Sequence, residues 1–482
     1  MLVKQISISE KVIFVSALVV TVLSSLLAFY FDEYALLAIP FGIALAVWCL
    51  IDVKQVFYFL LLLLPLSTEY YFKNGYATDL PTEPVMVMLM FAFILYVSYR
   101  PAVISFAIFK NPIMWFLLLH FFWICITSLN SIQPFLSMKY TLAKTWYIVV
   151  FVFLAGAVLK DLNSIKKFFW CIYLPLLVIV LVSIVRFALL GFEFEFVNEP
   201  LHPFFRNKVN YATMLSLFYP FLFAAAQWYE KGTAKRRIIQ AGKIIFIAGI
   251  YFSYTRAAYL ALTVATVFVI IVHAKLVKPA VVLGLVMMVF VSYYFVHNNK
   301  YLNYSPDFQK TVHHDAWADH LVSTFRGEDA SSMERIHMWI GGIFMSTHSP
   351  WLGSGPNTFY PEYKRYTVSR FETYLSDNDE HLTIHNYFLL MLVEQGVVGM
   401  LLWLALVISF YVVAEKTYHQ LKNQHLKLWC LCSIALHTVM MVSLSLSDLV
   451  EVDKSGSLFF MNLALMVNLR LMAKKELVEA NS

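Results

Sequence analysis

Thr383-Ile384-His385-Asn386-Tyr387 opens an apolar run that passes through Glu394-Gln395-Gly396-Val397-Val398-Gly399 and continues to residue 413. A bilayer span needs roughly 20 mainly apolar residues, so this run reads as a membrane helix. A long polar segment precedes it, carrying Met333-Glu334-Arg335 and the turn Pro350-Trp351-Leu352-Gly353-Ser354-Gly355-Pro356-Asn357. Only here does a long polar segment meet the membrane, and it delivers a histidine to the boundary. The chemistry is therefore expected within 331–400.

The rest of the chain reads as lipid-embedded. Of 482 residues, 60% are hydrophobic and only 14% charged, where a soluble domain is nearer a quarter charged. The five cysteines (Cys49, Cys125, Cys171, Cys430, Cys432) lie in apolar runs with no disulfide or metal spacing. No nucleic-acid partner is expected. The first apolar run, 12–29, follows Lys4 and Lys11 without a small-residue cleavage site, which predicts an uncleaved first span.

The fold class that follows is an all-α polytopic integral membrane protein. About 14 (12–14) transmembrane helices are expected, with one long, outward-facing, partly helical loop. The spans fall near 12–29, 34–51, 55–66, 84–99, 112–128, 142–159, 168–190, 208–228, 238–253, 257–273, 279–296, 385–413, 428–446 and 456–472. With the N-terminus in the cytoplasm, about 21 Lys and Arg fall inside and about 7 in short outside loops. About 7 more lie in the long loop, and Arg186 lies within a span. Moving the parity by one helix inverts that bias, so both termini are expected in the cytoplasm and the long loop outside. Four regions result: N-terminal helices 1–200, helices with outer arginine turns 201–296, the extracytoplasmic loop 297–384, and C-terminal helices 385–482.

Cations outside run against the bias and are informative. Arg206 stands in Phe204-Phe205-Arg206-Asn207-Lys208, Arg256 in Tyr254-Thr255-Arg256-Ala257-Ala258-Tyr259, Arg186 near the outer end of its span, and Arg335 in the long loop. A guanidinium matches phosphate oxygens with a planar fork of donors, so these arginines are candidates for binding a lipid-linked phosphate. The plainer role is snorkelling to headgroups or pairing with outside acids, which suits Arg186 best.

With a helix started at His385, Leu389, Leu392, Gly396 and Gly399 fall within about 40° of it on one stripe. The glycines would let a neighbouring helix approach. Glu394 falls on the opposite face, about 13 Å deeper, which excludes a His385–Glu394 dyad and predicts that Glu394 pairs with another helix. An interfacial imidazole is a natural proton acceptor; the inert alternative is a hydrogen-bonded helix-start residue. His313, His314, His320, His337, His348 and His381 match no zinc spacing, and no metal is expected. His381 and His385 are four apart, but the run lacks the glutamate of the metalloprotease motif.

In order and spacing these pieces resemble the O-antigen ligase and polymerase superfamily. The resemblance rests on Arg335 with Trp339, His348-Ser349-Pro350-Trp351-Leu352-Gly353-Ser354-Gly355, His385-Asn386 and Glu394-Gln395-Gly396-Val397-Val398-Gly399. Upstream, Arg206-Asn207-Lys208-Val209-Asn210 and Ser253-Tyr254-Thr255-Arg256-Ala257-Ala258 are also similar to its pattern. The likeness spans about 204–400. Tyrosine before the arginine of the second turn, and more spans than the usual ligase, depart from it.

The resemblance implies an inverting, metal-independent glycosyltransferase without a cofactor in a bacterial inner membrane. Its partners would be an undecaprenyl-pyrophosphate-linked oligosaccharide donor, a glycan acceptor (lipid A core or a growing lipid-linked chain) and membrane lipid. His385 is implied as the catalytic residue, Arg206 and Arg256 as donor pyrophosphate-binding, and Arg335, Asn386 and Arg186 as further substrate-binding candidates. Ligase, polymerase and protein-glycosylating variants share the donor and differ in acceptor. The alternative is a transporter or flippase of lipid-linked glycans or another anion. It would place cations along a path through the membrane, whereas here Arg186 and Glu394 are the main charges within spans.

Overall fold

In a computed structural model the protein is described for residues 10–71, 77–304, 330–372, 376 and 383–479. Helices lie at each of the fourteen expected positions. They are α1 (Glu10–Phe31), α2 (Ile39–Ile51), α3 (Val53–Leu63), α4 (Thr82–Tyr99), α5 (Pro112–Leu129) and α6 (Pro134–Ile148), continued through a π-turn (Val149–Leu154) into α7 (Ala155–Val158). Next come α8 (Leu162–Leu189), α9 (Lys208–Ala226), α10 (Ala234–Phe252), α11 (Arg256–His273) and α12 (Val277–Val296). Beyond α13 (Ala330–His348), which belongs to the polar segment, follow α14 (Tyr387–Gln420), α15 (Gln424–Leu444) and α16 (Asp453–Glu479).

Ten of these stretches are long and apolar enough to cross a membrane, so the chain is a membrane protein. The first three helices are apolar but shorter, and α10 carries Lys235, Arg236, Arg237 and Lys243 in its first half. Burial sorts them. The windows of α15 and α16 are 78% and 83% buried, against 6% for α12. Hence α15 and α16 form the centre of the bundle, and α12 faces its surroundings.

The all-helical expectation is corrected between α3 and α4. There β1 (Thr68–Tyr71) pairs antiparallel with β2 (Ala77–Leu80), Thr68 opposite Leu80. Four-residue strands show too little alternation to be read from sequence.

The second correction concerns α14. It does not run straight: Gly396 takes φ 68° and ψ −174°, a region that is essentially glycine-only. The break frees backbone groups inside a membrane helix, where nothing but protein can satisfy them. The turn 350–357 does so. Val397 N–H donates to the Pro350 carbonyl at 2.8 Å, Ser354 N–H to Val393 O at 3.0 Å and Gly355 N–H to Glu394 O at 2.9 Å. Trp123 Nε1 of α5 takes the Gln395 carbonyl at 2.9 Å. Thus Gly396 admits a re-entrant turn rather than a helix, while Gly399 does face α5 through Trp123. Glu394, expected to pair with another helix, instead accepts the N–H groups of Asn357 (2.8 Å) and Phe359 (3.0 Å). A buried carboxylate can be held by backbone donors as well as by a cation.

Candidate functional site

The turn 350–357 also binds the start of α6: Ile132 N–H donates to Ser354 O at 3.0 Å, and Ser137 Oγ to Pro356 O at 2.6 Å. The polar segment is thereby seated on one end of the bundle, where the α8–α9, α10–α11 and α15–α16 connections also lie.

His385 sits in a four-residue strap fixed on both sides. Thr383 Oγ1 donates to Asp448 Oδ2 at 2.7 Å, and Trp339 Nε1 of α13 to the Ile384 carbonyl at 2.9 Å. Asn386 Oδ1 accepts the Leu389 N–H at 3.0 Å and caps α14. Between these anchors His385 has φ 53°, a left-handed conformation that costs a non-glycine residue roughly 1–2 kcal/mol. Helix α14 therefore begins at Tyr387, two residues later than expected. Burial, and then the Arg335 guanidinium, pull the imidazole down from 6.5 to about 4. Arg335 precedes Trp339 by one helical turn, so the residue that anchors the strap and the one that tunes it share a face of α13.

The Arg206 turn is equally constrained. Lys454 Nζ, buried at the start of α16, donates to the carbonyls of Pro65 and Ser67 (2.9 Å each) and of Phe204. Arg186 Nη1 donates to His202 O at 2.7 Å, so Arg186 buttresses this turn. Asn207 Oδ1 caps α9 through Val209 and Asn210. Arg206 itself is exposed. Arg206 is within electrostatic reach of Asp448, the partner of the histidine strap: burial raises this carboxyl above the usual range, while the Thr383 hydrogen bond and, more weakly, the Arg206 guanidinium oppose the rise.

Arg256 is half-buried at the first residue of α11. The preceding Thr255 Oγ1 donates to Lys208 O at 3.3 Å, which sets the second arginine turn against the start of α9. The Lys208 ammonium lies 4.0 Å from the Phe194 ring centroid and within electrostatic reach of Arg256. A continuous set results: Arg335, His385, Thr383, Asp448, Arg206, Lys208, Arg256. Such a mouth can hold a polyanion beside a neutral imidazole.

Residues 241–404 match the family model described as O-antigen ligase. This match supports a likeness of that segment to the O-antigen ligase and polymerase superfamily. The ligase-family match runs from within α10 to the middle of α14, containing Arg256, Arg335, His385 and Asn386 and stopping short of Arg186 and Arg206. No curated protein matches the chain. Arg206 lies outside the matched segment but within electrostatic reach of Asp448, which accepts the Thr383 hydroxyl inside it.

Sequence reasoning passed over Thr383, Asp448, Lys208, Lys454 and Trp339 as site residues. Asp448 was visible as an outside acid, and Lys208 as an outside cation beside Arg206. His313, His314, His320 and His381 lie outside the described residues. His337 is buried, and His348 packs on Tyr366.

Beneath the strap a partly buried pair, with Lys144 buried and Glu451 a quarter exposed, ties α6 to the α15–α16 connection: Lys144 Nζ lies 2.8 Å from Glu451 Oε2. Tyr140 and Tyr387 hydroxyls both donate to Glu451 Oε1, at 2.9 and 2.8 Å. Removing one partner of a buried ion pair costs about 3–5 kcal/mol, whereas replacing both with apolar groups is often nearly neutral. Lys144→Met is therefore expected to destabilise the protein by about 3 kcal/mol, and Lys144→Met/Glu451→Leu to recover most of the loss. Thermal unfolding in detergent checks this; additive losses in the double variant would refute coupling.

Proposed function

We propose that the chain transfers a glycan from an undecaprenyl-pyrophosphate-linked donor to a sugar hydroxyl, with inversion, at the outer face of a bacterial inner membrane. What supports this reading is the Thr383–Asp448 hydrogen bond beside His385, with the Arg206 turn within electrostatic reach of the same Asp448. The long segment and His385 handle the acceptor; Arg206 and Arg256 hold the pyrophosphate. Polymerisation and ligation differ in the acceptor alone.

In the step itself the acceptor oxygen bonds to the donor anomeric carbon as the carbon–oxygen bond to pyrophosphate breaks. The acceptor proton passes to an imidazole nitrogen of His385. The extra negative charge on the departing pyrophosphate is met by the two guanidinium groups, placed before the reaction begins. A weak base suffices, because the acceptor proton grows acidic as its oxygen bonds to carbon.

The test uses the purified full chain, a defined pyrophosphate-linked donor, a glycan acceptor and EDTA. Arg206→Ala and Arg256→Ala should each weaken donor binding roughly tenfold or more, the scale of a lost charge-assisted hydrogen-bonding group at 1.5–3 kcal/mol. Lysine at either position should recover charge but not the fork. Unchanged donor affinity in both variants would refute the assignment. Donor binding with no glycan transfer to any acceptor would favour a transporter.

A further inference from the structure

A cavity lies at the opposite end of the bundle, away from the arginine turns. It has a volume of about 240 Å³ and opens between the α4–α5 connection, the π-turn with α7, and the last turns of α16. The π-turn displaces the backbone from regular helical pairing. Asn468 Nδ2 secures the wall by donating to the carbonyls of Gly156 at 2.9 Å and Leu159 at 2.8 Å. Ile104, Ile108, Phe153, Leu471 and Met472 give the cavity apolar sides, and Lys160 and Lys475 stand at its rim.

Charge at that rim is poorly compensated. The neighbouring acids Asp52, Asp161 and Glu476 accept backbone N–H groups rather than the rim lysines, and Lys160 Nζ donates to the neutral Val103 carbonyl at 3.0 Å. Lys475 meets Glu479 only at 3.7 Å and on the surface, where ion pairs contribute little. Lys54 adds to the positive field at Lys160. In front of the cavity Phe106 is 77% exposed, and Phe106, Phe109 and Phe153 follow one another in tilted ring contact.

An apolar slot with a cationic rim at the end of membrane helices matches an amphiphile bearing a phosphate. We propose that this cavity binds one anionic phospholipid, its phosphate at Lys160 and Lys475 and the first methylenes of an acyl chain against Ile108 and Phe153. Basic pockets between membrane helices recognise such headgroups. The volume suits a headgroup with its glycerol and leaves the chain tails along the outside of the bundle.

Native mass spectrometry of the full chain from mild detergent, with phosphatidylglycerol or phosphatidylcholine of equal chain length, tests this. The wild type should retain phosphatidylglycerol about fivefold to thirtyfold better, the range expected from one or two lysine–headgroup contacts. Lys160→Ala/Lys475→Ala should erase the preference, and Lys231→Ala/Lys235→Ala, just before and within the first turn of α10, should keep it. A Cβ at Gly156 meets only ordinary contact, 3.9 Å from Ala464. Gly156→Leu should therefore fill the slot and reduce retention of both lipids, deciding the matter if the lysine variant fails to fold. Equal retention of the two lipids by the wild type, unchanged retention in Gly156→Leu, or equal loss in the control pair would overturn the proposal. Displacement by glycerol 3-phosphate at lipid-equivalent concentration would also overturn it, in favour of a free phosphate site.

Discussion

Replacing His385 with alanine is expected to lower glycan transfer about 10²–10⁴-fold, the range supplied by one positioned proton acceptor. Donor affinity should stay within about twofold, because the arginine turns are fixed by Lys454, Arg186 and Asn207 rather than by the imidazole. The pH profile distinguishes a base from a merely structural residue. Burial and Arg335 hold the free imidazole near 4, so the acid limb of kcat/KM should fall there and not near 6.5. A bound pyrophosphate reverses part of that effect: an adjacent anion favours the imidazolium and raises the pKa. The acid limb of kcat, which reports the complex, should therefore lie at higher pH than that of kcat/KM. Coincident limbs near 6.5, or unchanged turnover in the folded variant, would sink the assignment.

Much of this candidate site could be nominated from the chain because membrane insertion leaves strong marks. Apolar runs located the helices to within about eight residues at either end, and His385 stood out because it lies where such a run begins. Arg206 and Arg256 stood out as outside cations in a chain biased against them. What escaped notice depends on contacts between distant residues. Lys454 gathers carbonyls from residues 65, 67 and 204, and nothing near Lys454 announces that. Asp448 reads as one outside acid among several until Thr383 is seen to bond to it, 65 residues away. Stepping 100° per residue from His385 assumed an unbroken helix; a single glycine dihedral cancels that assumption. Glu394 accordingly received the wrong partner, since the amides that hold it belong to a turn more than thirty residues upstream.

That glycine yields the largest expected structural effect. Gly396→Val is expected to destabilise the protein by roughly 3 kcal/mol or more, from strain in a glycine-only dihedral and the loss of buried hydrogen bonds. A Cβ there would fall on the Trp351 carbonyl, and one at Gly353 on the Glu394–Gln395 peptide. Neither obstacle is a flexible side-chain end, so both backbones would have to part. Parting them strands the Val397 N–H and the Val393 and Glu394 carbonyls at a depth where water cannot replace the partners. Gly284 on α12 is the control: a Cβ there meets nothing within 4 Å, and Gly284→Ala should be neutral. Thermal unfolding in detergent reads the difference, and wild-type stability for Gly396→Val would refute the lock. Turnover should fall with it, because the same turn seats the polar segment that carries Arg335 and Trp339 against the strap. The two glycines thus touch no substrate, yet the geometry of His385 depends on them.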